Sequence, residues 1–248
     1  MAPLLRLEQV SKSFAGFHAL QAIDVCLEGG RTACIIGPNG AGKSTLFNLI
    51  TGHLRPTSGR IIFRGQDITG RPPHTICQLG IARSFQHANI FPRLSVFDNM
   101  HIAVLAHHKH THRFFSPAAR LVQAETYAVL EQVGLAEVAP RLSGTLSYGL
   151  QKQLELGLAL ASEPTLLLLD EPTAGMSPQE TASTLTLLDH IVRQRGLTLL
   201  MTEHDMEVVF RLADSIIVLH QGQVLALGTA AEVRRNAAVQ QVYLGENG

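Results

Sequence analysis

Nine consecutive residues, 37–45, have the types and spacing of a loop that binds phosphate. They fit the pattern G-x-x-x-x-G-K-[ST] and read Gly37-Pro38-Asn39-Gly40-Ala41-Gly42-Lys43-Ser44-Thr45. Glycines let the backbone turn its N–H groups towards an anion, and a helix that begins near Lys43 would point its positive dipole end there. We expect Lys43 to reach the β- and γ-phosphates of a nucleotide and Ser44 to ligate Mg²⁺. The alternative is a glycine-rich surface turn before a helix.

Two adjacent carboxylates, Asp170 and Glu171, follow the apolar run 166–169 and are the second candidate for chemistry. A buried strand would deliver both of them to its exposed end. Asp170 is placed to hold Mg²⁺, usually through water, and Glu171 to orient and deprotonate an attacking water as general base. Taken alone, the pattern is also typical of a strand that ends in a solvated acidic turn.

The composition predicts a soluble globular protein. The 248 residues are 46% hydrophobic, enough for one sizeable core or two modest lobes. No apolar run approaches the ~20 residues that cross a bilayer, and the N-terminus lacks the layout of a secretory signal. Twenty Lys and Arg residues balance twenty Asp and Glu residues, so charge gives no reason to expect nucleic acid as a partner. The three cysteines, Cys26, Cys34 and Cys77, are unevenly spaced and are expected to be small core residues in a reducing cytoplasm.

Three apolar runs, 81–85, 166–169 and 197–201, each end in polar residues. Such runs are typical of buried parallel strands that carry chemistry at their carboxyl ends. In contrast, residues 23–27 alternate apolar and polar side chains, and Gly29-Gly30 then turns the chain into residues 32–36, which predicts an antiparallel hairpin.

The remaining pattern alternates helices and strands. Residues 43–51 are expected to form a helix, and residues 216–227 a hairpin. The stretch 86–148 favours helices, such as one at 118–133, apart from a loop at 106–117. We therefore predict an α/β fold with an inserted helical subdomain.

The run Leu146-Ser147-Tyr148-Gly149-Leu150-Gln151, about twenty residues before the carboxylates, resembles the L-S-G-G-Q signature of the ATP-binding cassette (ABC) family. Tyr148 stands where a glycine is usual and Leu150 where a glutamine is usual. The resemblance implies that Ser147 and Gly149, at a helix N-terminus, bind the γ-phosphate held by another subunit.

The same resemblance implies the domain plan. It is a single ABC ATPase domain over residues 1–248, with a P-loop NTPase (RecA-like) core at about 1–88 and 150–236. The core includes an N-terminal antiparallel β subdomain, a helical subdomain is inserted at about 89–149, and residues 237–248 form a C-terminal tail.

Further site residues follow from family positions. Gln86 matches the glutamine loop, which ligates Mg²⁺ and links the site to the helical subdomain, and His204 matches the switch histidine that contacts the γ-phosphate. Phe14 stands where an aromatic ring stacks on adenine, although a core phenylalanine is the common alternative. Ser177, in Ala174-Gly175-Met176-Ser177, replaces the usual aspartate of the D-loop. The implied catalytic residues are Glu171, His204, Gln86 and Lys43, and the implied metal ligands are Ser44, Gln86 and Asp170.

A cluster of histidines, at positions 107, 108, 110 and 112, raises a metal site as one interpretation. No cysteine or acidic ligand accompanies the histidines in the sequence. We expect them to lie in a solvated loop.

Within the family, four sequence features resemble those of the ATP-binding subunits of branched-chain or hydrophobic amino-acid importers. They are Phe85-Gln86-His87 leading to Phe91-Pro92, Tyr148 in the signature, Ala174 to Pro178, and the ending Tyr243-Leu244-Gly245-Glu246. The ATPases of urea importers and of lipopolysaccharide export share some of them. A soluble cassette ATPase that remodels nucleic acid or ribosomes, and a non-catalytic nucleotide-binding regulator, are alternatives of other classes.

The transporter resemblance implies ATP and Mg²⁺ as cofactors and a peripheral position on the cytoplasmic face of the inner membrane. The implied partners are a second ABC ATPase subunit, either a copy or a paralogue, two transmembrane permease subunits and, indirectly, a periplasmic or extracellular solute-binding protein. Two subunits would sandwich two Mg·ATP between the phosphate loop of one and the helix start at Ser147 and Gly149 of the other.

Overall fold

The computed structural model of this chain describes residues 3–84, 90–108 and 118–245. The strands in these residues are β1 Leu5–Phe14, β2 Phe17–Leu27, β3 Thr32–Ile36, β4 Ser58–Phe63, β5 Gln66–Asp67, β6 Ile81–Ser84, β7 Leu166–Asp170, β8 Thr198–Thr202, β9 Ser215–His220 and β10 Gln223–Gly228. The α-helices are α1 Lys43–Ile50, α2 Pro73–Gln78, α3 Val96–His107, α4 Ala118–Gln132, α5 Tyr148–Leu160, α6 Pro178–Arg195, α7 Met206–Leu212, α8 Ala230–Arg235 and α9 Ala237–Gly245. Short 3₁₀ turns lie at Ala136–Val138 and Ser143–Thr145.

The N-terminal sheet is antiparallel, in the order β2-β1-β4-β5. The predicted antiparallel region is therefore present, but the predicted hairpin across Gly29-Gly30 is wrong, because β2 pairs with β1 and β3 belongs to the other sheet. The reason lies in burial. β2 alternates buried and exposed residues towards its end, whereas all five residues of β3 are buried, as suits a central parallel strand.

The second sheet has the order β10-β9-β3-β8-β7-β6. The strands from β9 to β6 are parallel, and β10 pairs antiparallel with β9 in the predicted C-terminal hairpin. The three apolar runs are the strands β6, β7 and β8, as predicted. In β7, Leu166 and Leu168 face the core shared with the antiparallel sheet, and Leu167 and Leu169 face the core under the helices. The carboxyl ends of β3, β7 and β8 therefore meet at one edge.

The helices after β6 pack on one another: α3 contacts α4, and α5 contacts α3, α4 and β6. The loop predicted at 106–117 is wrong for its first residues, because α3 runs through His107 and ends at the cap residue His108, whose N–H donates to Val104 O at 3.2 Å. The sequence has no Gly or Pro there to stop the helix. The subdomain boundaries stay a prediction. Within the residues described, no helix is both long and apolar enough to cross a membrane.

The expectation that all three cysteines are core residues is wrong for two of them. Cys34 is buried in β3, but Cys26 and Cys77 are exposed. Cys26 lies at an outward-facing position of the alternating strand β2, between the buried residues Val25 and Leu27. Cys77 follows Ile76, the buried residue of the short helix α2, and is itself exposed.

Candidate functional site

The loop between β3 and α1 depends on glycines at two positions where a side chain would not fit. Gly37 has φ 155°, and a Cβ there would lie 2.2 Å from the carbonyl oxygen of Leu219. Gly42 has φ 105°, and its Cβ would lie 2.8 Å from the carbonyl oxygen of Ala19. The helix α1 begins directly after it, at Lys43, as predicted. The backbone is thus folded tightly at the N-terminus of a helix, the geometry that presents N–H groups to an anion.

The Lys43 side chain folds back over this loop. Its Nζ donates to the carbonyl oxygens of Gly37 at 2.5 Å and Pro38 at 3.0 Å. Burial lowers the pKa of the ammonium group, and the carboxylates of Glu171 and Asp170 act in the opposite direction. The cation is therefore held at the mouth of the loop by weak neutral acceptors, which a phosphate would outcompete.

A cleft of ≈ 410 Å³ opens in front of the loop and is walled by two phenylalanines. Phe14 and Phe17 are paired across the β1–β2 hairpin, whose turn residues Ala15 and Gly16 both have positive φ. Phe17 was missed in the sequence; the signal was an aromatic residue on each side of a two-residue Ala-Gly turn. The residues that line the cleft are Phe14, Phe17, Ala19, Asn39, Gly40, Ala41, Gly42, Lys43, Ser44, Thr45 and Glu171.

The carboxylate of Asp170, at the end of β7, accepts two hydrogen bonds. Thr202 Oγ1 donates to Oδ1 at 2.6 Å, and Arg83 Nη2 donates to Oδ2 at 3.0 Å. Both side chains of the Arg83–Asp170 ion pair are buried. Arg83 also donates to Asn48 Oδ1 at 2.6 Å, which ties the carboxylate to the helix α1. The sequence prediction gave Arg83 no role, although a charged residue inside an apolar strand was a signal.

Glu171 takes a left-handed backbone conformation, with φ 48°. Its N–H donates to the carbonyl oxygen of Thr202 at 3.1 Å, so the strained turn is fixed against the end of β8. The turn separates the Glu171 side chain from that of Asp170 and directs it into the cleft. His204, beyond the end of β8, places Nδ1 3.8 Å from Glu171 Oε2. The two predicted catalytic side chains are therefore neighbours.

Glu203 is a buried carboxyl next to His204, to which the sequence analysis gave no role. It is 1% exposed. Oε1 accepts from Thr173 Oγ1 at 2.7 Å and from the Thr173 N–H at 3.3 Å, and Oε2 accepts from the His204 N–H at 3.3 Å. Burial raises the pKa of Glu203, against the opposing effect of the Thr173 hydrogen bonds.

The signature residues lie at the start of α5, where Ser147 is the N-cap residue and is exposed. Tyr148 Oη donates to the Ala174 carbonyl oxygen at 3.3 Å, so the residue that replaces glycine contacts the D-loop. Gly149 is buried, and a Cβ there would lie 2.9 Å from Glu180 Oε1. Gly149 thus lies against Glu180 of α6, whereas Ser147 is exposed at the helix start.

Ser177, the residue in place of the D-loop aspartate, is the N-cap residue of α6. Its Oγ accepts from the Glu180 N–H at 3.3 Å, and the Ser177 N–H donates to Glu180 Oε2 at 2.9 Å. This reciprocal capping box satisfies two backbone donors at the helix start. Serine therefore supplies the capping function that an aspartate would also supply.

Some of the predicted residues lie outside the described part of the chain. Gln86 falls there, as do His110 and His112. The other two histidines of the cluster are not in a loop, since His107 ends α3 and His108 caps it. His108 Nε2 contacts Glu125 Oε2, and His107 Nε2 lies 3.9 Å from Glu163 Oε2. In the described part of the chain, no group of three or more His, Cys, Asp or Glu residues is arranged to hold a metal ion.

A Mg²⁺ ion fits the two predicted ligands that the structure describes. Ser44 and Asp170 offer oxygen atoms, the ligand type that Mg²⁺ prefers. Ser44 lines the cleft. Because both oxygens of Asp170 already accept a hydrogen bond, this carboxylate suits contact with the ion through water.

The fold and this site define a P-loop nucleotide-binding protein of the cassette type. The chain belongs to the ABC transporter family, which it matches over residues 20–174. Residues 223–248 match a second family, described as branched-chain amino acid ATP-binding cassette transporter. The predicted α/β class with a P-loop core and the predicted family are both confirmed.

Curated relatives cover nearly the whole chain. The high-affinity branched-chain amino acid transport ATP-binding protein BraF of Pseudomonas aeruginosa is 37% identical, with 98% of each chain covered. LivG of Escherichia coli K12, which has the same description, is also 37% identical with 98% of each chain covered. A probable branched-chain amino acid transport ATP-binding protein LivG of Methanocaldococcus jannaschii is 32% identical, again with 98% of each covered.

Solved structures agree with the fold. The ADP conformation of an ATP-binding cassette of an ABC transporter superimposes with a TM-score of 0.85 at 30% identity, covering 99% of this chain and 100% of that one. CbiO1 from Clostridium perfringens, part of the ABC transporter complex cbiONQ, superimposes with a TM-score of 0.85 at 27% identity. The match covers 100% of this chain and 98% of that one.

Proposed function

We propose that this chain is the ATP-binding and ATP-hydrolysing subunit of an importer for branched-chain amino acids. One observation carries the proposal: a single cleft is lined by Lys43 and Ser44 of the phosphate loop and by Glu171, which lies 3.8 Å from His204. The residues that we expect to bind phosphate and to activate water thus line the same cleft. The relatives named above support the choice of solute.

ATP would place its phosphates against the loop 37–45, where the N–H groups and the start of α1 favour an anion. Lys43 would exchange the carbonyl oxygens of Gly37 and Pro38 for β- and γ-phosphate oxygens. The adenine ring would stack at Phe14 and Phe17, which are 42% and 69% exposed at the outer end of the cleft. The exposed faces of these two rings would gain apolar contact when the adenine ring covers them.

Hydrolysis would use the side chains at the carboxyl ends of β7 and β8. Glu171 accepts a proton from the attacking water, and His204 donates a hydrogen bond to the γ-phosphate. Mg²⁺, held by Ser44 and through water by Asp170, would neutralise charge on the phosphates. Gln86, the remaining predicted ligand, belongs to the same set.

The site would be completed by a second subunit, either a copy of this chain or a paralogue. Ser147 is exposed at the N-terminus of α5, as a residue that binds a phosphate held by a partner must be. ATP would then bridge both subunits and favour the closed pair through contacts that the open pair lacks.

The subunit would lie on the cytoplasmic face of the membrane and contact two permease subunits, with a solute-binding protein as an indirect partner. The contact would involve residues 86–100 and a neighbouring cleft of ≈ 420 Å³ between α2, β6 and α5. Apolar side chains such as Ile76 and Leu158 line this cleft. Its wall also includes Glu155, which is buried and whose Oε1 has no hydrogen-bond partner among the described residues. A cytoplasmic loop of the permease with an apolar face and one donor would fit it.

Turnover of the purified chain tests the enzymatic part of this proposal. Glu171→Gln should bind ATP, lose nearly all hydrolysis and accumulate as a closed dimer in gel filtration with ATP. The matched control Glu28→Gln changes an exposed glutamate outside the site and should behave as the wild type. Near-normal hydrolysis by Glu171→Gln would remove Glu171 from the role of base.

Co-purification from membranes tests the transport part. A tagged chain should bring down two hydrophobic permease chains, and its loss should abolish uptake of branched-chain amino acids. Labelling of the two exposed cysteines tests where the permease binds. Cys77 lines the proposed docking cleft, and Cys26 lies outside its lining and serves as the control. Maleimide should label both in the free chain and only Cys26 in the complex. Equal labelling of Cys77 in both states would place the permease elsewhere.

A further inference from the structure

The carboxyl group of Glu203 joins two chain segments that carry the chemistry. One is the connection from β7 to α6, which begins with Glu171 and continues through Thr173 to Ser177. The other is the segment after β8, which carries His204. Glu203 Oε1 accepts from both polar hydrogens of Thr173, at 2.7 Å from Oγ1 and 3.3 Å from N, while Oε2 accepts from the His204 N–H at 3.3 Å.

The burial of these groups makes the bridge specific. Glu203 is 1% exposed and Thr173 is 7% exposed. A buried carboxyl is costly unless its oxygens accept hydrogen bonds, so its partners are held firmly. The neighbouring Cys34 on β3 is also buried, and both burial and the nearby Glu203 raise the pKa of its thiol. Because Glu203 and Thr173 are both buried, water does not compete for the hydrogen bonds between them.

We propose that Glu203 is a positioning residue for ATP hydrolysis. It holds the segment that begins at Glu171 and the backbone of His204 in a fixed position relative to each other. This inference rests on the proposed function. Glu203 does not belong to the lining of the cleft, and neither does Thr173. Glu203 acts through its hydrogen bonds to Thr173 and His204. These keep Glu171 Oε2 and His204 Nδ1 at their separation of 3.8 Å.

A carboxylate is suited to this bridge because both of its oxygen atoms accept hydrogen bonds. In Glu203→Gln, the amide oxygen can still accept from Thr173, but the NH₂ group then faces the His204 N–H. Two donors in contact repel, so the variant keeps one end of the bridge and breaks the other. Thr173→Val is the complementary change, because it removes the hydroxyl donor and leaves the shape of the side chain almost unchanged.

Steady-state ATP hydrolysis by the full chain tests the inference. Thr173→Val and Glu203→Gln should each lower kcat about tenfold, since small displacements of catalytic groups are costly. The KM for ATP and the affinity for a fluorescent ATP analogue should stay within about twofold, because neither residue lines the cleft. Thr173→Ser keeps the hydroxyl and should restore most of kcat. Hydrogen exchange of the backbone amides of residues 173–177 should rise in both variants that break the bridge.

The control is Thr126→Val, which removes another buried threonine hydroxyl, one that donates to the Val122 carbonyl oxygen at 2.7 Å within α4. It should lower stability without changing kcat. Wild-type kcat in Thr173→Val, or a parallel loss of kcat and nucleotide affinity, would overturn the positioning role. A wild-type chain without ATPase activity would overturn the proposed function itself, so the two failures are distinct.

Discussion

Arg83 donates to Asp170 across 3.0 Å in an ion pair whose members are 9% and 5% exposed in their side chains. The carboxylate that we expect to hold Mg²⁺ is thereby oriented by the guanidinium group of Arg83 on the neighbouring strand β6. Removal of one partner from a buried ion pair leaves an uncompensated charge, which is more costly than the pair itself is worth.

Arg83→Ala should therefore lower the free energy of unfolding by about 3 kcal/mol, as measured by urea denaturation. Arg193→Ala is the matched control, because it breaks the exposed pair between Arg193 and Asp189, 2.8 Å apart on α6, and should leave the midpoint unchanged. Equal effects of the two substitutions would mean that the Asp170 carboxylate needs no counter-ion.

Lys43→Ala should weaken ATP binding by at least about tenfold, since a charge-assisted contact to phosphate contributes more than the neutral contacts it replaces. Fluorescence titration with ATP measures this, and the folded state is checked by its melting temperature. Within the described residues, the ammonium group donates only to the neutral carbonyl oxygens of Gly37 and Pro38, so the melting temperature should change little. Unchanged ATP affinity would contradict the assignment of the phosphate loop.

Phe14→Ala and Phe17→Ala should each lower ATP affinity about fivefold, the loss expected for one stacked aromatic contact of ~1 kcal/mol. Inorganic tripolyphosphate separates stacking from phosphate binding. Its affinity should be unchanged, because the hairpin tip contributes rings and no charge. If only one of the two variants weakens ATP binding, the adenine ring contacts that phenylalanine alone.

The sequence predicted the parts of this structure that depend on local pattern. The glycine-rich loop, the three buried strands and the helix that starts after Ser147 follow from residue type and spacing. The hairpin across Gly29-Gly30 failed because a turn signal does not say to which sheet the next strand belongs. That choice is made by burial on both faces of β3, which depends on tertiary packing.

Apart from Phe17, the residues of the candidate site that the sequence did not predict were missed for a different reason. Arg83, Thr173 and Glu203 act through side chains that come from separate strands and loops, so no spacing rule connects them. They share a polar side chain that the fold buries, which needs a partner that local sequence does not identify. The site residues themselves, including Gln86, stay predictions until the variants are measured.

Ser177→Ala should lower the free energy of unfolding by about 1 kcal/mol through loss of the N-cap of α6. Ser177→Asp keeps an oxygen acceptor for the Glu180 N–H, but it loses the donor to Glu180 Oε2 at 2.8 Å and sets two carboxylates in contact, so it should also be less stable than the wild type. Urea denaturation of the three chains measures the difference. A stable Ser177→Ala would mean that the capping box contributes nothing here and that the serine is retained for another reason.

The pH dependence of stability should reveal Glu203, because burial raises its pKa above the usual 4.5 in the folded chain. Between pH 4.5 and that raised value the folded state binds more protons than the unfolded state, so stability falls as pH rises through this window. Glu203→Gln removes the effect, and the stability of the wild type relative to it should be greatest below pH 4.5 and decline towards neutral pH.

Glu180→Gln should give a difference of opposite sign, because hydrogen bonds from Ser177 lower the pKa of Glu180 below 4.5. Its contribution is present above pH 4.5 and is lost as pH falls through the lowered value. Urea denaturation from pH 3.5 to 7.5 compares both variants with the wild type. Parallel profiles for the two variants would show that Glu203 is not held as a buried, proton-favouring carboxyl.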